Sequence, residues 1–153
     1  MSDTALNDPL ALESQVCFAL SLASRSIVAA YRPVLEPLQL THPQYLVMLA
    51  LWEDAPLSIK DLSGLLHLDP GTLSPLTKRL ESLGYVQRGR DATDERSLAI
   101  VLTKKGKELR KQAESIPGIM MKKLGMSMEE LLALHASMMK LIDAARASGD
   151  LID

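Results

Sequence analysis

The chain predicts a mainly α fold with a small β-hairpin, in the order α-α-α-α-β-β-α-α. Three observations lead there: apolar residues at helical spacing over most of the length, two short helices tightly joined between Ser58 and Gly84, and a change to extended patterning after Gly84.

Leu10 to about Leu35 reads as a long amphipathic helix ended by Pro33 and Pro37. Thr41-x-x-Gln44 is a capping-box pattern for a second helix running to Trp52 or Glu53, and Pro56 punctuates the entry to the third. Ser58 and Asp61 open that third helix, which reaches His67, with Ile59, Leu62, Leu65 and Leu66 expected on a core. Asp69 caps a fourth helix. Its first residue, Pro70, needs no N–H there, and Gly84 supplies the left-handed stop. Leu73, Leu76, Leu80 and Leu83 make its buried stripe. Tyr85–Arg88 and Leu98–Leu102 are then two strands around a polar tip at 91–96. Lys104 begins a helix that Pro117-Gly118 should kink or interrupt, and Ser127-x-x-Glu130 caps a last helix to about Arg146.

Two helices across so short a turn, followed by a basic hairpin, form a winged helix-turn-helix, a module that reads duplex DNA. The outward face of the fourth helix carries Thr72, Ser74, Pro75, Lys78 and Arg79: hydroxyls and cations for base edges and phosphates, and a compact proline for a thymine methyl. Arg88 and Arg90 add cations along the hairpin. Arg96 at the tip suits a narrow minor groove, with Asp94 as the carboxylate that orients it. The plainer reading is an αα-hairpin beside an unrelated β-hairpin. Charge decides between them. The whole chain has 17 Lys and Arg against 19 Asp and Glu, net −2, yet residues 78–111 hold ten basic against five acidic, leaving seven against fourteen elsewhere.

At 153 residues and 47% apolar, the chain fits one domain with a sizeable core. The opening MSDTALNDP has neither the basic nor the apolar part of a signal peptide, so a cytoplasmic protein is expected. Cys17 is the only cysteine, which excludes an intrachain disulfide and a zinc finger; no phosphate loop appears, and neither cofactor nor metal is expected. Ile119, Met120, Met121, Leu124, Leu131, Leu134, Met138, Leu141 and Ile142 exceed what a small monomer needs. They predict a homodimer, whose two-fold symmetry matches an inverted-repeat operator with half-sites about 34 Å apart.

The LxxGTLSPLTKRLExxGYVxR run and Asp94-Glu95-Arg96, set among these helices, resemble the MarR family of dimeric bacterial repressors. Cys17-Phe18, Tyr31-Arg-Pro33 and Thr41-His-Pro-Gln-Tyr-Leu46 are similar to its organic hydroperoxide resistance regulator (OhrR) branch, of single-cysteine type. The resemblance implies one MarR-type domain over 1–153, with dimerisation and sensing helices at about 10–56 and 104–147 and the DNA-binding module at 57–103. It implies a repressor rather than an enzyme, released from its operator when an organic hydroperoxide oxidises Cys17 and a low-molecular-weight thiol condenses with the product. In that family two tyrosine hydroxyls serve the sulfur. Tyr31 matches the first, and His42 occupies the second position. His42 then reads either as a hydrogen-bond donor to sulfur, stronger if protonated, or as a solvated residue heading its helix. Tyr45, one turn on, is expected to pack the second helix, with substitution for the missing phenol as the alternative, and His67 and His135 to be structural or surface residues. A lone cysteine taken by itself reads as a buried structural thiol. The alternative function is a repressor of the same fold released by a small apolar or phenolic ligand, with Cys17 a spectator.

Overall fold

The computed structural model describes residues 8–90 and 98–149, residue 90 by its backbone alone. The chain falls into two compact units, Met1–His42 and Pro43–Asp153.

In the first unit a 3-10 turn, Leu12–Ser14, precedes α1, Val16–Leu35. The helix begins six residues later than its apolar pattern predicts. Ser14 and Gln15 turn their side chains onto the backbone, Ser14 Oγ to the Ala11 carbonyl and Gln15 Nε2 to the Pro9 carbonyl, both 2.7 Å, and Gln15 itself is extended. Pro33 does not end α1. It lies inside the last turn, where one missing N–H interrupts only the closing bonds. A 3-10 turn, Glu36–Leu38, and a left-handed Gln39 then reverse the chain toward His42.

Helix α2, His42–Asp54, starts directly after Thr41. Its Tyr45, Val47, Met48 and Leu51 are buried. Leu57–Ser58 forms β1, an antiparallel edge strand that the sequence did not announce, giving a three-stranded sheet in the order β1-β3-β2. Two residues are too few to display alternation, and Ser58 also caps the next helix. Helix α3, Ile59–Leu66, opens on the expected reciprocal capping box of Ser58 and Asp61. Leu62 is fully buried, but Leu65 is exposed and does not join the core.

Helix α4 is Pro70–Ser82, capped by Asp69, and Gly84 follows at φ 80°. Strands β2, Val86–Arg90, and β3, Leu98–Leu102, pair antiparallel with Arg88 opposite Ile100. The core of this region is Leu57, Leu62, Leu73, Leu80, Val86 and Ile100, with Thr77 buried among the helix positions.

Helix α5, Lys104–Ala113, gives way to α6, Ile116–Leu124, so the break falls at Glu114–Ser115, before the proline. Pro117 thereby enters the first turn of a new helix, where it costs no bond. Helix α7, Met128–Ala147, opens on the Ser127–Glu130 capping box. Gly106 fixes how closely α5 meets the sheet: a Cβ there would lie 2.0 Å from the Tyr85 carbonyl oxygen, and its own carbonyl accepts the Trp52 indole N–H at 2.9 Å.

Candidate nucleic-acid interface and sensor

The reading helix is held at both ends. At its start Asp69 accepts the Thr72 backbone N–H and hydroxyl, each at 2.8 Å, and these bonds hold the carboxyl below its ordinary pKa. Thr72 thus spends its proton on the cap and keeps its oxygen as an acceptor. At the far end Lys105 Nζ donates to the Leu83 carbonyl at 2.8 Å and lies 5.0 Å from the centre of the Tyr85 ring. This lysine anchors α4 to α5.

Between the two anchors Thr72, Pro75, Lys78 and Arg79 are exposed together, as their spacing predicts. Ser74 is half-buried, and its carbonyl accepts the Thr77 hydroxyl at 3.0 Å. That bond satisfies Thr77 inside the core, a position the leucine stripe did not reveal. Arg88 is already partnered, its Nε 3.3 Å from Glu81 on α4, so its charge is partly offset before any phosphate approaches. Arg90 contributes its backbone to β2; its side chain, with Asp94 and Arg96, lies outside the described residues.

Cys17 is the second residue of α1 and is exposed, which removes the reading of a thiol buried in its own chain. Fourteen residues of one continuous helix separate it from Tyr31, about 21 Å at 1.5 Å per residue. Tyr31 instead packs on His42, ring centres 4.9 Å apart and planes tilted by 53°. The chain reversal after Pro33 creates this pair. Burial raises the Tyr31 phenol above its usual pKa and lowers that of His42. Near neutral pH both rings are therefore uncharged and keep an N–H or O–H; the protonated imidazole is the disfavoured form. Tyr45 is buried in α2.

A partly apolar cavity of about 270 Å³ lies between α2 and the α5–α6 segment, lined by Tyr45, Leu49, Trp52, Ala113 and Pro117, with Arg110 and Glu114 paired at 2.8 Å. Among the described residues no cluster of three metal-ligating side chains occurs, and no helix is long and apolar enough to cross a membrane.

The family described as transcriptional regulator SarA/Rot matches residues 29–113. The regulator TtmR of Methylorubrum extorquens is 44% identical over 96% of this chain and 75% of its own. The organic hydroperoxide resistance transcriptional regulator of Bacillus subtilis is 40% identical over 89% of this chain and 92% of its own. Among solved structures, AbfR of Staphylococcus epidermidis superposes with a TM-score of 0.68 at 32% identity, covering 86% of this chain and 94% of that one. AbfR has also been seen bound to DNA in reduced and overoxidised forms. The helix-turn-helix and its sheet are thus those of a winged-helix DNA-binding regulator, not of an enzyme. The chain belongs to the MarR-like SarA/Rot family of transcriptional regulators.

Proposed function

We propose that the chain acts as a cytoplasmic homodimeric repressor whose operator binding is switched off by oxidation of Cys17 with an organic hydroperoxide. The observation that carries this reading is the placement of the sole cysteine: exposed at the start of α1, and out of reach of the Tyr31–His42 donor pair on its own chain. The similarity to the Bacillus regulator supports it.

A dimer brings the two halves together. Apolar residues left exposed on α1, Leu22 and Val28, and on α7, Leu134, Met138 and Leu141, each offer a surface to a second subunit, and α1 helices crossing in the dimer deliver each Cys17 to the partner's Tyr31 and His42. Sulfur attacks the distal peroxide oxygen. An S–O bond forms, the O–O bond breaks, and the alcohol leaves with a proton, giving a sulfenic acid. A small thiol then forms an S–S bond and releases water. The added bulk at the seam rotates the subunits, and the two α4 helices lose the half-site spacing of an inverted repeat.

The test is operator binding before and after an organic hydroperoxide, with a small thiol present. The parent should dissociate, and Cys17→Ser should bind DNA as tightly as the parent and stay bound; dissociation of the serine variant would refute Cys17 as the sensor. The cavity beside Trp52 favours a second reading, release by a small apolar or phenolic ligand with Cys17 a spectator. Peroxide-insensitive DNA binding, together with quenching of Trp52 fluorescence by such a ligand, would decide for it.

A further inference from the structure

His67 terminates α3 in the left-handed conformation, φ 52° and ψ 42°, a backbone state that glycine adopts at less cost. It sits in the turn joining α3 to the reading helix. Its ring Nε2 lies 2.9 Å from a guanidinium nitrogen of Arg146, seventy-nine residues away in the last turn of α7. Arginine carries donors only, so Nε2 accepts with its lone pair in this contact. Arg146 makes no ion pair among the described residues. A side chain is thus kept where the backbone would favour none, and it reaches the far end of the chain's last helix.

We infer that His67 and Arg146 form a strut that sets the angle of the reading head against α7, and so positions α4 for the operator. They are positioning residues rather than readers of DNA. The inference rests on α7 belonging to the dimer seam, as proposed above, because a head fixed to α7 is then fixed relative to the head of the second subunit. It does not rest on peroxide sensing.

The test measures operator affinity of the reduced dimer as a function of salt, with an operator fragment bound by the parent and a second fragment carrying one extra base pair between its half-sites. His67→Gly and Arg146→Ala should each weaken operator binding about fivefold, and the double variant by no more than either alone. Discrimination against the lengthened fragment should narrow in all three. His67→Gln should restore near-parental binding, since an amide oxygen can accept from Arg146 and a glutamine already holds positive φ at Gln39. The salt slope should stay parental, dimerisation should persist, and the urea midpoint of His67→Gly should not fall. Multiplicative losses in the double variant, failure of the glutamine to rescue, or a slope lowered by about one per residue removed would each overturn the strut, the last because it marks direct phosphate contact. A sensor that fails to respond to peroxide would leave these outcomes unaltered, whereas a monomeric parent would remove the seam on which the strut acts.

Discussion

The reading head and the terminal helices are built to different degrees of completion within one chain. From Leu57 to Leu102 the interior is closed by Leu57, Leu62, Leu73, Leu80, Val86 and Ile100, and both helices start at side-chain caps. In α7, by contrast, no residue is buried, and in α1 only Leu35 is. Leu132 retains 61% of its surface and Leu141 46%. A helix of twenty residues with so much apolar surface gains little from propensity alone; most helical stability comes from packing a face. The head is finished by its own sequence, whereas the long helices leave apolar faces exposed that the proposed dimer would cover.

The strongest way to break this comparison is to strike each region at its own support. Leu80→Ala should cost about 3 kcal/mol in urea unfolding, because it empties a fully enclosed site, and the loss should be the same at every protein concentration. Gly106→Ala should act in the same direction through the clash with the Tyr85 carbonyl, by about 2 kcal/mol. A paired change on α7, Leu134→Asp with Leu141→Asp, should leave the head folded by circular dichroism but yield monomers on sizing. Operator affinity should then drop about 100-fold, equivalent to about 2.7 kcal/mol. Intact dimers in that variant would show that α7 is not the seam.

Mixed dimers sharpen the same contrast at the sensor. When one subunit carries Cys17→Ser and its partner Tyr31→Phe, the surviving cysteine should oxidise at the parental rate, because the intact Tyr31 comes from the serine chain. With both changes in one subunit, the rate should fall about tenfold, some 1.4 kcal/mol of barrier. The reverse order would place Tyr31 beside the cysteine of its own chain, and equal rates would remove it from the sensor.

The smallest effect belongs to the caps. Hydrogen bonds from Ser58, Thr72 and Ser127 hold Asp61, Asp69 and Glu130 below their ordinary values. Their folded pKa values are lower than their unfolded ones, so their contribution is complete above the unfolded values of 3.8 for the aspartates and 4.5 for the glutamate, and fades as pH falls through the folded values. Thermal midpoints should therefore decline slightly more steeply below pH 4 in the parent than in a triple Asn/Asn/Gln variant; parallel curves would mean that the caps contribute nothing in acid.

Local chemistry was legible in the sequence. Capping pairs at Ser58, Asp69 and Ser127, the turn glycine at 84 and the exposed set Thr72, Pro75, Lys78 and Arg79 follow from spacing, because a helix end must satisfy its own N–H groups and a helix face repeats every 3.6 residues. The separation of Cys17 from Tyr31 follows likewise, as the rise of one helix. Contacts between elements were not legible. Strand β1 exists because β3 offers it an edge; Arg88 is tied to Glu81 and Lys105 to the Leu83 carbonyl by neighbours that only folding supplies; Tyr31 meets His42 because a turn reverses the chain; and His67 meets Arg146 across seventy-nine residues. Periodicity and caps report the chain to itself within a few residues, whereas a partner brought from elsewhere leaves no local trace, and three-dimensional packing alone decides it.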